Sequence, residues 1–362
     1  MLPKLRIFSK EMFVRFLLLC IGVVIPLLLL EGACRILPLD WSEEQARFYR
    51  YDPELGWKGK PNASGTFRTV DFSSWVQLNS RGLRAPETAY EVRPPERRIL
   101  VLGDSFTWGF GVNANERFTE TLQSELNNTS VLNAGCSGYG TDQELLFYRS
   151  EGRKYAADTV IVALHLRSDV KNNIASRQYG SYKPVAWSEN GKLIFKNIPV
   201  AQNSWGAATT NALKKRSALF VWLFGRKLGE TKTGELFANG INILALDRDP
   251  PEITSNYSPA DVTCALASML TTEIKNSNSG AVFLVIPDIR PETRQIEEKP
   301  EYSDIRKCLS TLDAQVVDLT KPLTEALKDD ATNPIIFKHD LHWTPAGHRI
   351  VGKALAQALP PR

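Results

Sequence analysis

This sequence of 362 residues predicts an α/β protein built on a parallel sheet, preceded by one N-terminal apolar helix. Three observations predict it. The runs ILVLGD, TVIVALHL and AVFLVIPD are apolar throughout, as strands buried on both faces are. Helix-length segments alternate with them, which is the rhythm of βαβ units. An uncharged stretch, Phe16 to Leu30, precedes all of them. With 43% hydrophobic and 23% charged residues, the chain is neither collagen-like, low-complexity nor mostly disordered.

The formal charge of +4 belongs mostly to the N-terminus. Residues 1–37 carry Lys4, Arg6, Lys10, Arg15 and Arg35 against Glu11 and Glu31. The rest holds 39 basic and 38 acidic groups, a net of +1, so nothing argues for nucleic-acid binding by charge.

Phe16 to Leu30 would span about 22 Å as a helix, against a hydrocarbon core of about 30 Å. Met12 to Val14 and Arg35 to Leu37 extend it, with Arg15, Glu31 and Arg35 reaching toward headgroups. The basic residues before the run place the N-terminus in the cytoplasm and the remainder outside, which predicts a single-pass inner-membrane protein with a periplasmic domain. A cleaved signal peptide is the alternative, but no A-x-A site follows the run. Residues 1–37 are therefore read as a cytoplasmic stub and anchor, 38–95 as an extension with short strands, and 96–362 as the main domain with an insertion at about 174–258.

Of the five cysteines, Cys20 and Cys34 lie in or beside the anchor. Cys264 and Cys308 fall in two predicted helices, where they either pair or stay buried as thiols. No C-x-x-C or His/Cys cluster has zinc spacing, so a structural metal is not expected.

Gly65 to Leu78 alternates as short strands do. The strand Ile99 to Asp104 leads to a helix over Arg117 to Asn127, a strand over Ser130 to Gly135 and a helix over Asp142 to Gly152. Thr159 to Leu166 is the third strand. Within the insertion, Trp187 to Phe195 around Asn190-Gly191 predicts a hairpin, and Ala212 to Arg226 a basic, aromatic helix: either a flap near the site or an ordinary packed helix. A helix over Pro259 to Lys275, a strand over Ala281 to Asp288, a helix over Tyr302 to Leu312, a strand over Gln315 to Thr320 and a helix over Ala346 to Leu359 complete the order.

The chemistry-bearing motifs lie at strand ends. Gly103-Asp104-Ser105-Phe106 directly follows the first strand, where open parallel sheets bind ligands and a helix start favours negative charge. The bland alternative is a helix N-cap. Near the C-terminus stands Asp340-Leu341-His342-Trp343-Thr344-Pro345. In extended backbone Asp340 and His342 share a face, so the carboxylate can orient the imidazole and stabilise its cation. His348 is read as structural, and His339 has no partner at this spacing. The loop Asn133 to Gly140 carries three glycines, which let backbone approach a substrate closely.

The blocks GDSF, NAGCSGYG and DLHWTPAGH, in this order, resemble the SGNH/GDSL hydrolase superfamily over roughly residues 70–360. That resemblance implies a flavodoxin-like three-layer α/β/α fold. It implies Ser105 as nucleophile, His342 as base, Asp340 as its orienter, and the Ser105 and Gly138 amides as oxyanion donors, with Asp104 beside them. Ser168 stands where the family has an asparagine donor. The anchor, the segment Tyr51 to Trp57, NSRGLR before the nucleophile and the tail DLHWTP also resemble a bacterial subgroup and proteins that O-acetylate exported polysaccharides. The expected function is a membrane-anchored serine esterase acting on acetyl groups of a surface or exported glycan, or on another small ester, a chemistry that requires no cofactor. An O-acetyltransferase and a non-catalytic glycan-binding scaffold are the alternatives.

Overall fold

The computed structural model describes residues 10–36, 47–91, 97–179, 181–189, 192–202, 217, 219, 257–290, 292–329 and 332–359. The chain forms two compact units, residues 1–44 with 205–246, and residues 45–204 with 247–362.

In the first unit, α1 (Lys10–Ile36) contains Pro26, and its stretch Val14–Cys34 has a mean hydropathy of 2.5. At ~1.5 Å per residue it is long and apolar enough to cross a membrane. Glu31 does not end in a free headgroup-facing carboxylate. It accepts hydrogen bonds from the Ser217 hydroxyl at 2.8 Å and the Leu219 amide at 2.9 Å. Most of the segment 212–226 lies outside the described residues.

The second unit opens with two hairpins, β1 (Tyr49–Asp52) with β2 (Gly56–Gly59) and β3 (Ser64–Arg68) with β4 (Ser73–Gln77). Then come β5 (Arg97–Gly103), α2 (Ser105–Trp108), α3 (Phe118–Glu125), β6 (Thr129–Asn133), α4 (Thr141–Ser150), β7 (Thr159–His165) and α5 (Ser168–Asn172). The short hairpin of β8 (Arg177–Gln178) and β9 (Ser181–Tyr182) precedes β10 (Val185–Glu189) and β11 (Lys192–Lys196), which pair antiparallel from Val185↔Lys196 to Glu189↔Lys192. Asn190 and Gly191 are outside the described residues. Next come α6 (Pro259–Asn276), β12 (Gly280–Ile286), the small pair β13 (Asp288–Ile289) and β14 (Ile296–Glu297), α7 (Pro300–Leu309), β15 (Gln315–Asp318), α8 (Thr320–Leu327) and α9 (Pro345–Ala358).

The central sheet is parallel with order β6-β5-β7-β12-β15. Counted along the chain this is 2-1-3-4-5, the flavodoxin-like winding, whose ligand crevice lies beyond the carboxyl ends of the strands where the order reverses. Alternate residues of each strand face opposite layers. Leu100, Leu102, Val160, Val162, Leu164, Phe283 and Val285 pack under α4, α6 and α7. Ile99, Val101, Ile161, Val282, Leu284 and Val317 pack under α3, α8 and α9. Both faces are covered, which is why these strands are apolar throughout. Helix α8 was not anticipated, since Pro322 in its first turn and its short length hide it from a periodicity reading. Cys264 in α6 and Cys308 in α7 are joined as a disulfide, with Cα atoms 6.1 Å apart.

An ion pair fixes the chain beyond β9. Lys183 and Asp142 of α4 are both fully buried, and the ammonium also donates to the carbonyls of Asn172 at 2.9 Å and Pro184 at 3.1 Å. Removing one partner leaves a buried charge uncompensated. Lys183→Met should therefore destabilise the protein by about 3–5 kcal/mol. Urea unfolding checks this, and the double change Lys183→Met with Asp142→Leu should recover most of the loss.

Candidate active site

Strand β5 stops at Gly103, and Asp104 caps the short helix α2 by accepting from the Phe106 amide at 2.9 Å. That turn places Ser105 at the carboxyl edge of the sheet. The cap and the placement of the Ser105 hydroxyl are two results of one local geometry.

The other half of the site comes from the chain's far end. Trp343 is fully buried against Phe106 and Phe118, and it pairs with Ile336 as an isolated antiparallel bridge. The Phe337 amide donates to the His342 carbonyl at 3.1 Å. Thr344 caps α9, and Pro345 sits at the helix start, where its missing N–H costs nothing. Residues 339–342 bend between these ties, and the bend brings Asp340 and His342 side by side. The His342 amide donates to Asp340 Oδ1 at 2.8 Å, and the ring Nδ1 makes a short contact with the same oxygen. His342 Nε2 lies 2.6 Å from Ser105 Oγ. An imidazole in this position can take the serine proton while the carboxylate stabilises the cation.

Two aromatic rings set the imidazole plane. Phe110 stacks on His342 with centroids 4.2 Å apart and planes 25° apart, and Phe106 lies 4.8 Å away.

The loop after β6 continues the ladder beside β5, with the Ala134 and Cys136 amides donating to Val101 and Gly103 carbonyls at 2.9 Å. It brings Gly138, at φ +80°, to the same edge of the sheet. A side chain there would be strained and would strike the Tyr179 ring. Tyr179, 67% exposed and itself at φ +52°, is a rim residue that sequence reading missed.

Ser168 and Asp104 require a correction. Ser168, expected as an oxyanion donor, directs its hydroxyl to Asp104 Oδ2 at 2.7 Å and lies 2.6 Å from His165 Nδ1. Its one proton is engaged with the cap carboxylate, because β7 delivers it directly over that buried group. Asp104 is itself almost wholly buried as cap and acceptor, so its side chain faces no substrate. Burial pushes the Asp104 carboxyl up, against the Ser168 and Phe106 hydrogen bonds that pull it down.

His348 is buried with its Nδ1 accepting from the Phe118 amide at 3.2 Å, a structural role. Burial first, then nearby positive groups, pull both His165 and His348 down to about 3. The unfolded imidazoles titrate near 6.5, so between about pH 6.5 and 3 the unfolded chain binds more protons. Stability is full above that window and falls as pH drops through it. Thermal unfolding midpoints should decline from pH 7 to pH 5, and His348→Gln, which keeps an acceptor but does not titrate, should flatten that slope.

No protein-family model and no curated protein matches the chain. Among solved structures it is similar to the acetyl xylan esterase AlAXEase, at 14% identity over 73% of this chain and 100% of that one, with a TM-score of 0.42. It is also similar to a GDSL-like lipase from Bacteroides thetaiotaomicron VPI-5482, at 15% identity over 75% of this chain and 91% of that one, TM-score 0.38. A third similar structure is the lipase/acylhydrolase from Enterococcus faecalis, at 14% identity over 72% and 94%, TM-score 0.37.

Proposed function

We propose that the chain is a serine esterase of SGNH type, anchored by α1 with its site outside the cytoplasm. Its substrate would be the acetyl esters of a surface or exported glycan. The observation that carries this reading is the 2.6 Å contact between Ser105 Oγ and His342 Nε2, made across 237 residues of sequence.

In the reaction, Ser105 Oγ attacks the ester carbonyl as its proton moves to His342 Nε2. Asp340 holds the resulting imidazolium, and the amides of Ser105 and Gly138 stabilise the carbonyl oxyanion. Collapse of the tetrahedral adduct expels the sugar oxygen, which takes the proton from His342 and leaves an acetyl–Ser105 ester. Water, deprotonated by the same imidazole, then releases acetate. A second sugar hydroxyl in place of water would make the protein an O-acetyltransferase. With the Ser168 proton engaged by Asp104, two backbone donors carry the oxyanion. Losing one good donor costs about 10²–10³ in rate, so slow hydrolysis is expected.

Three further observations support the setting. The basic flank of α1 favours an N-terminus inside. The Cys264–Cys308 disulfide suits an oxidising compartment. The exposed Tyr179 ring beside Gly138 offers a flat face against which a sugar ring can stack.

A fluorophosphonate probe applied to the full-length protein in detergent tests the reading. Wild type should be labelled on Ser105, and Ser105→Ala should not. Absence of label from both would favour the scaffold alternative, and acetyl-donor assays with and without glycan separate transfer from hydrolysis. Tyr179→Ala should raise KM for acetylated oligosaccharides about tenfold, a loss of ~1.4 kcal/mol, within the range for an aromatic contact. Its kcat/KM for p-nitrophenyl acetate should stay within about twofold.

A further inference from the structure

We infer that the β3–β4 hairpin of the N-terminal extension is a positioning clamp for the two reacting loops, and that Asp71 is its positioning residue on the loop carrying Asp340 and His342. The inference rests on the esterase reading above.

Asp71 sits in the turn between β3 and β4, its own amide donating to Thr69 Oγ1 at 3.2 Å. Its two carboxylate oxygens are used on one residue, 268 positions away. Oδ2 accepts from the His339 amide at 2.8 Å, and Oδ1 lies 2.7 Å from His339 Nδ1. The Asp71 side chain is 7% exposed, so the carboxylate is desolvated although the His339 ring is not. His339 immediately precedes Asp340. The loop is therefore tied at residue 339 by Asp71 and at residue 343 by buried Trp343, with the functional pair between the ties.

The next residue of the hairpin reaches the same place by a second route. The Phe72 ring lies 5.2 Å from Phe337 and 5.3 Å from Phe110, the ring stacked on His342. Arg84, buried in the same extension, donates to the carbonyls of Gly109 at 2.6 Å and Val112 at 2.7 Å, on either side of Phe110. It also donates to the Trp75 carbonyl of β4 at 3.0 Å, which links that loop to the hairpin. One segment outside the α/β core thus grips both the loop after the nucleophile and the loop of the base.

A contact of this kind with an exposed partner contributes little to stability. A displacement of 1 Å at reacting groups costs about 10²-fold in rate. The two scales differ enough to be separated. In full-length protein, Asp71→Ala should lower kcat for p-nitrophenyl acetate, and the rate of fluorophosphonate labelling, by about 10–100-fold with KM within about twofold, whereas His339→Ala, which keeps the main-chain amide on Asp71, should lose much less. The double variant should be no worse than Asp71→Ala alone. Asp71→Asn, which still accepts from the His339 amide, should recover most of the rate. Glu273→Ala, which removes the surface pair with Arg149, should leave the rate unchanged.

A wild-type rate in Asp71→Ala, or a loss that simply follows the unfolding temperature, would overturn the inference. If wild type itself resists labelling, the esterase reading falls, and this one is decided separately. The low-field proton resonance of the His342–Asp340 hydrogen bond should shift or vanish in Asp71→Ala, and an unchanged resonance would reject the clamp.

Discussion

Everything in this site depends on one hydrogen bond, Ser105 Oγ to His342 Nε2. Neither group is reactive alone. A serine hydroxyl is a weak nucleophile until a base at hydrogen-bond distance can accept its proton. The fold makes the meeting possible by parallel winding. Ser105 leaves the carboxyl end of β5, and the loop before α9 returns to the same edge of the sheet. α9 packs on the face that α3 also covers, and Trp343 is buried between the two loops. Each partner is held by ordinary forces: a capped helix on one side, a buried indole on the other.

A second line of polar groups runs beneath the nucleophile. His165, Ser168 and Asp104 form a buried chain that ends at the cap of α2. Ser168 donates to Asp104, so its oxygen is left to accept a hydrogen bond from His165 Nδ1. This chain fixes the turn that presents Ser105. The hydroxyl is a structural link. In the proposed reaction the oxyanion is left to backbone amides, which do not rotate and need no reorganisation.

Much of the fold was legible because the strands are buried on both faces and therefore apolar at every position. The ends of the strands and helices shifted by only a few residues, as the caps at Asp104, Ser258 and Thr344 decide them. The Asp340–His342 pair was legible from its spacing, but the contact is made through a bend closed by the His342 amide on Asp340 Oδ1, not through extended backbone. What stayed hidden was long-range. Nothing near His339 in sequence suggests Asp71, and nothing about Phe110 distinguishes it from a core aromatic. Ser168 was misread for the same reason: its partners, His165 and Asp104, meet it only once β7 and β5 are side by side. The extension at residues 47–91 reads as weak short strands, yet its turns hold the site.

The most direct test of the account is the fate of the serine itself. Full-length protein mixed with p-nitrophenyl acetate, quenched in acid within a turnover and digested, should yield an acetylated peptide with the acetyl group on Ser105. Finding that peptide unmodified, or the acetyl group on another residue while ester is consumed, would contradict the central claim.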